Sequence, residues 1–358
     1  MGKIIALIIL LIVLLVIFIL LVITLAVFKN SYGRFSVDPD VTEYLYDHFR
    51  DRYPRREVFF PSDGETLKGY VFGEENEKAL IVFSHGIWSG HEQYLSFLTY
   101  FIDKGYRVFA YDYRGYNGST GEDARGLPES PVDLKSALDY VRSDNSIIKK
   151  KDGTDLKILT MGHSWGAYAS TAVLNLDDGV FAACAMSGFD DPVTISVETG
   201  KMMLGPVAGL MGPLINLVNG VMFGKNKRLI AHEGINKSNI PVLLTHADRD
   251  AFIALNVSSI VCHKDEITNP NVKYHIITEN PRDNHNDFFL TAEAAAETQK
   301  IRAEFEEISK KYKKGEVPRD VRHEFFSKVD KVKANQPCTE YYELIDAFFT
   351  EALIKGNA

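Results

Sequence analysis

Hydrophobic and polar positions divide the chain into an apolar leader and an alternating body. From Ile4 to Phe28 there are 25 residues without a charge, almost all Ile, Leu, Val, Phe and Ala. A bilayer core needs about 20 such residues. The run outlasts the ~7–15-residue apolar core of a cleavable signal peptide, and no A-x-A-like site follows it. Residues 1–30 are therefore expected to form an uncleaved, single-pass N-terminal anchor. Lys3 and the α-amine flank one side, Lys29 and Arg34 the other. The positive-inside rule has little to act on, so the side of the membrane stays open. Residues 31–56 read as a polar spacer.

The body runs from residue 57 to 358. Glu57–Pro61 and Leu67–Phe72 flank Asp63-Gly64, which predicts a hairpin. Apolar runs at Lys78–Ser84, Tyr106–Tyr111, Ile158–Met161, Val180–Met186, Pro241–Thr245 and Val272–Ile277 predict strands. Helical periodicity lies between them at Gln93–Lys104, Asp133–Arg142, Ala167–Leu176 and Asn256–Ile267, and again at Thr339–Ile354. Continuous apolar strands alternating with helices imply a parallel sheet covered on both faces. Functional loops then belong at the carboxyl ends of the strands.

Two excursions break the alternation. Residues 190–239 contain Met202–Gly224, uncharged, with five glycines and two prolines. A second span would put later strands on the wrong side of the bilayer, so this region is expected to be an apolar cap over the site. Residues 291–335 open with a charged amphipathic helix, Thr291–Gly315.

Composition narrows the chemistry. A net charge of −8, with no basic patch interleaved with aromatics, argues against a nucleic-acid partner. Cys184, Cys262 and Cys338 have neither disulfide nor CxxC spacing. No metal, nucleotide or flavin motif is present, and Gly86, Gly90 and Gly115 do not make a phosphate loop. No cofactor is expected.

The stretch Lys157–Ser170 carries the chemistry. It turns from strand to helix through Gly162-His-Ser-Trp-Gly166, the context that G-x-S-x-G requires. A serine in that strained turn presents its hydroxyl to the open, and the helix N-terminus behind it suits an oxyanion. Ser164 needs a base, and the base needs an orienting acid. His285 sits in a polar loop just past the last strand and is the candidate base; His263, His275 and His323 sit in worse places. Asp248 and Asp250 both end a strand, and Asp250, followed by the apolar Ala251-Phe252-Ile253, is preferred. Asp190 and Asp191 are outsiders. The oxyanion donors are expected to be the backbone N–H groups of Trp165 and Ile87. Asp112 and Arg114 read as a loop-fixing ion pair.

Strand-His85-Gly86, Asp112-Tyr-Arg-Gly-Tyr-Asn-Gly-Ser119, Gly162–Gly166, Asp250 and His285 together resemble the α/β-hydrolase superfamily. The nearest likeness is to its serine-aminopeptidase-like and monoacylglycerol-lipase-like branch, over about residues 57–290 and the terminal helix. His246-Ala247 departs from it, standing where that branch has a glycine. The resemblance implies a mostly parallel eight-stranded α/β sheet with a cap insertion, and a Ser-Asp-His hydrolase. The chain is thus expected to be a membrane-anchored serine hydrolase acting on carboxylic esters, small or lipid-like, through an acyl-enzyme. Peptidase action on short peptides and a non-catalytic binding role are the alternatives.

Overall fold

The computed structural model describes residues 2–313 and 316–356. Gly315, the expected end of the charged helix, lies outside the described residues, as do the two terminal positions at 357 and 358. In chain order the elements are α1 (Gly2–Ser31), α2 (Tyr46–Phe49), β1 (Arg55–Ser62), β2 (Glu65–Phe72), β3 (Leu80–Ser84), α3 (Leu95–Asp103), β4 (Arg107–Asp112), α4 (Glu129–Ser143), α5 (Asn145–Ile148), β5 (Ile158–His163), α6 (Trp165–Ala172) and β6 (Ala182–Met186). There follow α7 (Pro192–Leu204), α8 (Gly212–Phe223), α9 (Ala231–Ser238), β7 (Val242–Ala247), β8 (Val272–Ile277), α10 (Ala292–Ser309), α11 (Arg319–Phe326), α12 (Lys331–Ala334) and α13 (Thr339–Lys355).

The eight strands form one sheet in the order β1-β2-β4-β3-β5-β6-β7-β8. Only β2 runs against the others. The central strands are buried on both faces, which is why they read as unbroken apolar runs. In β3, Leu80 and Val82 face one core and Ile81 and Phe83 the other. The first core is closed by α4, α6 and α9 through Leu134, Leu138, Ala169 and Ile235. The second is closed by α3 and α13 through Phe97, Phe101, Tyr342 and Phe349. The hairpin turns at Asp63 and Gly64 with φ of +40° and +85°, the left-handed pair that a two-residue turn needs.

The expected helix Asn256–Ile267 is corrected to turns and a short 3₁₀ segment, Ile260–His263. Its backbone is used elsewhere. Asp190 N–H donates to the Ser258 carbonyl, and Ile260 N–H to that of Gly188. The Ser259 hydroxyl takes the Cys262 N–H, a local bond that competes with helix.

The helix α1 is long and apolar enough to cross a membrane. By length and composition so is Gly205–Ser238, but this stretch is broken by a 3₁₀ turn at Gly224–Asn226. It supplies Met211, Ile215 and Ile235 to the packed interior. Residues 31–45 lie along the body: Phe35 N–H donates to the Gly115 carbonyl and Val37 N–H to Asn117 Oδ1.

Candidate active site

Strand β5 delivers the chain to Ser164, which has φ +57° and ψ −116°. Such a conformation is costly for a non-glycine residue and marks a functional turn. Space for the turn comes from the flanking glycines. A Cβ at Gly162 would meet the Gly166 carbonyl oxygen at 2.1 Å, and one at Gly166 would meet the Ser84 carbonyl oxygen at 1.9 Å. Neither has a positive φ; their role is close approach of β3, β5 and α6.

The loop after β7 brings Asp250 to His285. His285 Nδ1–H donates to Asp250 Oδ2 at 2.6 Å, while Asp250 Oδ1 accepts from the N–H groups of Phe252 and Ile253 at 2.9 and 2.8 Å. Burial pushes the Asp250 carboxyl up, but His285 and those bonds outweigh it and hold it below its ordinary value. Asp248 is exposed, only its N–H being engaged, with the Ile277 carbonyl. His246, the departure from the family pattern, is buried on β7, and its Nε2–H reaches the Ile253 carbonyl at 2.9 Å. It pins the loop that carries Asp250.

The turn after β3 holds three successive N–H groups. Gly86 N–H donates to Tyr94 Oη and Trp88 N–H to Tyr116 Oη. Among the described residues the Ile87 N–H has no protein acceptor. Trp165, the first residue of α6, likewise keeps its N–H free, as helix starts do. Both residues line, with Ser164 and His285, one cavity of about 510 Å³.

Two residues that the sequence reading passed over hold these loops in register. The Tyr94 hydroxyl accepts from Gly86 N–H and donates to His163 Nδ1 at 2.8 Å; His163 Nε2–H donates to the His285 carbonyl at 2.9 Å. One chain of bonds thus joins the turn after β3, the turn at Ser164 and the loop that carries His285. Burial lowers His163 to about 3, so it stays neutral with one donor and one acceptor. The signal was available in outline: His163 is the variable residue inside G-x-S-x-G. Helix α10 holds the His285 loop from the other side. Gln299 donates to Asp287 Oδ2 at 2.8 Å and Arg302 to Asp287 Oδ1 at 2.8 Å.

The expected Asp112–Arg114 pair is corrected. Asp112 is buried against His91 at 3.0 Å and Asn117 at 3.1 Å, and Arg114 pairs with Glu65 at 3.2 Å. Asp191 caps α7 and pairs with Arg228, while Asp190 accepts from His232 at 2.9 Å. Asp190, His232 and His263 are the group of described residues whose ligand atoms lie within 4.8 Å of one another. The two rings are stacked 15° from parallel, so their in-plane lone pairs do not converge on one point. Hydrogen bonds to Asp190 and Glu266 account for the arrangement.

Residues 81–258 match the model of an alpha/beta hydrolase family. The protein YfhR of Salmonella typhimurium is 26% identical over 206 residues, 55% of this chain and 64% of that protein. The AB hydrolase superfamily protein YfhM of Bacillus subtilis is 35% identical over 112 residues, 30% of this chain and 34% of that protein. The match spans less than two thirds of either relative. Among solved structures, the Pyrococcus furiosus esterase Pf2001 superposes with a TM-score of 0.53 over 79% of this chain and 97% of that one, at 14% identity. The shared feature at that distance is the fold.

Proposed function

Because the chain belongs to the α/β-hydrolase superfamily, we propose that it is a membrane-anchored serine hydrolase that cleaves carboxylic esters. Ser164 Oγ attacks the ester carbonyl while His285 takes its proton. Asp250 keeps the proton on Nδ1, so that Nε2 faces the reaction, and stabilises the imidazolium. The N–H groups of Ile87 and Trp165 receive the oxyanion. His285 returns the proton to the leaving alkoxide, and water reverses the steps to free the acid. The observation that supports this most is the 2.6 Å Asp250–His285 bond in the cavity that Ser164 opens to.

The walls support an apolar acyl group. They include Val27 and Phe28 of α1, Met211 and Ile215 of the cap, and Phe289. Because α1 contributes to them, the test uses the full-length protein in detergent. A fluorophosphonate probe is expected to label wild type and not Ser164→Ala. kcat/KM is then measured for acetyl, butyryl, octanoyl and palmitoyl esters. Each buried CH₂ adds up to about 0.8 kcal/mol, roughly fourfold, until the cavity is full. A steady fall from acetyl onward refutes the apolar acyl pocket, and preferred cleavage of aminoacyl amides moves the reading to a peptidase.

A further inference from the structure

We propose that α8 and the turn before it are a second membrane-contacting element, sunk into the face of the bilayer that α1 crosses, so that the cavity is loaded with lipid esters from the bilayer. This rests on the reading of α1 as an anchor.

A length mismatch carries the inference. Every residue from Gly2 to Ile19 is exposed, and burial begins at Leu20. The free apolar part, Ile4–Ile19, is sixteen residues, about 24 Å of helix at ~1.5 Å per residue. A hydrocarbon core is about 30 Å thick. The shortfall of about 6 Å is one further turn, roughly four residues, and that turn is Leu20–Ile23. It is already on the protein: Ile23 and Phe28 pack against Ala208, Met211 and Ile215. At this level the outward side of α1 is still apolar, with Val22 and Leu25 exposed, and the first charge is Lys29. Where α1 meets the cap, the depth is still that of acyl chains or their boundary. The cap shares it.

The cap's outer surface suits that position. Leu210 is 64% exposed, Leu217 57% and Val221 81%, a run of apolar exposure that soluble surfaces seldom carry. No charge occurs from Met202 to Gly224, while Lys201 precedes it and Lys225, Lys227 and Arg228 follow. An apolar face with cationic ends matches an interfacial helix among lipid headgroups. Trp88, 53% exposed at the cavity wall, donates its indole N–H to the Ser31 carbonyl at the end of α1, the level at which tryptophan gathers in membrane proteins.

The contact between α1 and the cap is also a cavity wall, through Thr24, Val27, Phe28, Met211 and Ile215. An acyl chain entering from the bilayer beside this contact would reach a cavity that Ser164 lines. The substrate class is the acyl ester of a membrane amphiphile.

The test uses the full chain carrying Cys262→Ser, since Cys262 is the exposed cysteine. Single cysteines at Leu14, Leu217, Val221 and Ile354 carry an environment-sensitive fluorophore in phosphatidylcholine vesicles doped with doxyl-labelled acyl chains. Ile354 is a control for the far end, because Gly356 beside it meets Phe181 at the start of β6. Quenching is expected at Leu14, Leu217 and Val221 and not at Ile354. Quenching at Leu14 without quenching at Leu217 and Val221 overturns the proposal and leaves the anchor standing. No quenching at Leu14 removes both. Cross-linking between cap cysteines of two copies, without lipid quenching, also overturns it. In a second arm, Leu217→Glu combined with Val221→Glu is expected to lower kcat/KM about tenfold on a vesicle-borne ester and leave a soluble butyryl ester unaffected. Equal loss on both substrates, or on neither, overturns loading from the bilayer.

Discussion

Replacing Tyr94 by phenylalanine removes one oxygen and two hydrogen bonds. The ring stays, with its packing on Phe83 and Phe289. The Gly86 N–H loses its acceptor and His163 Nδ1 loses its donor. A buried polar group left without a partner costs about 1–3 kcal/mol. Tyr94 lines the cavity, so water can enter the vacated place, and each loss falls at the low end, about 2 kcal/mol together. With unfolding entropy near 2.1 cal/mol/K per residue, a chain of this length should lose roughly 3 °C in Tm. The catalytic effect is separate. Tyr94 reaches the His285 loop through His163, so the turn after β3 and that loop, the proposed oxyanion donor and base, lose their common reference. Misplacement of this kind lowers kcat by about tenfold to a hundredfold with KM little changed. The assay pairs thermal melting of the full-length protein with kcat and KM on a butyryl ester. A lower Tm with kcat intact would show that the network only stabilises. An unchanged Tm and kcat would refute the reasoning altogether.

Ser164→Ala should stay folded and retain less than about a hundredth of the wild-type turnover; more than that removes Ser164 as nucleophile. Asp250→Asn should impair kcat far more than Asp248→Asn, by leaving His285 in the wrong tautomer, and the reverse order in steady-state assays would reassign the acid. Glu129 gives a pH dependence of stability. Burial, then repulsion from Asp133, raises its carboxyl from 4.5 to about 8, so in that window the folded chain keeps a proton that the unfolded chain has released. Stability should therefore fall as pH rises from 4.5 toward 8. Glu129→Gln should flatten that fall by at least about 1 kcal/mol; parallel Tm–pH curves for wild type and variant would contradict the assignment.

The central strands were legible because burial on both faces leaves few polar positions to obscure them, as at Ala182–Met186; the edge strand Val272–Ile277 was read to the residue although only Ile277 in it is buried. The structure brings His285 to Asp250 and to the cavity that Ser164 lines; the sequence pointed to these three because loops at strand ends leave few places for the proposed chemistry. What could not be read were the partners of residues far apart in sequence. Asp112 meets His91 rather than the neighbouring Arg114 because the loop folds its carboxylate inward, and nothing in local spacing encodes that. The bond from Tyr94 to His163 spans 69 residues. The docking of α1 was hidden for another reason. An unbroken apolar helix has no polar face to reveal which side is covered, and only Thr24, whose hydroxyl bonds back to the Leu20 carbonyl, interrupts it.

That helix answers to two different demands along its length. Up to Ile19, where every described side chain is exposed, the proposed anchoring asks only for sufficient hydropathy, and leucine and isoleucine should be interchangeable. From Thr24 onward one side of the helix, Thr24, Val27, Phe28 and Ser31, forms part of a cavity wall, and there volume and shape decide. On the proposed anchoring, a swap that a hydropathy scale scores as neutral, such as Val27→Phe or Phe28→Leu, should be silent for insertion yet resize the cavity that Ser164 lines. Over its last two turns, α1 is a wall of the cavity that Ser164 and His285 share, and on the proposed function that wall takes part in choosing the acyl group.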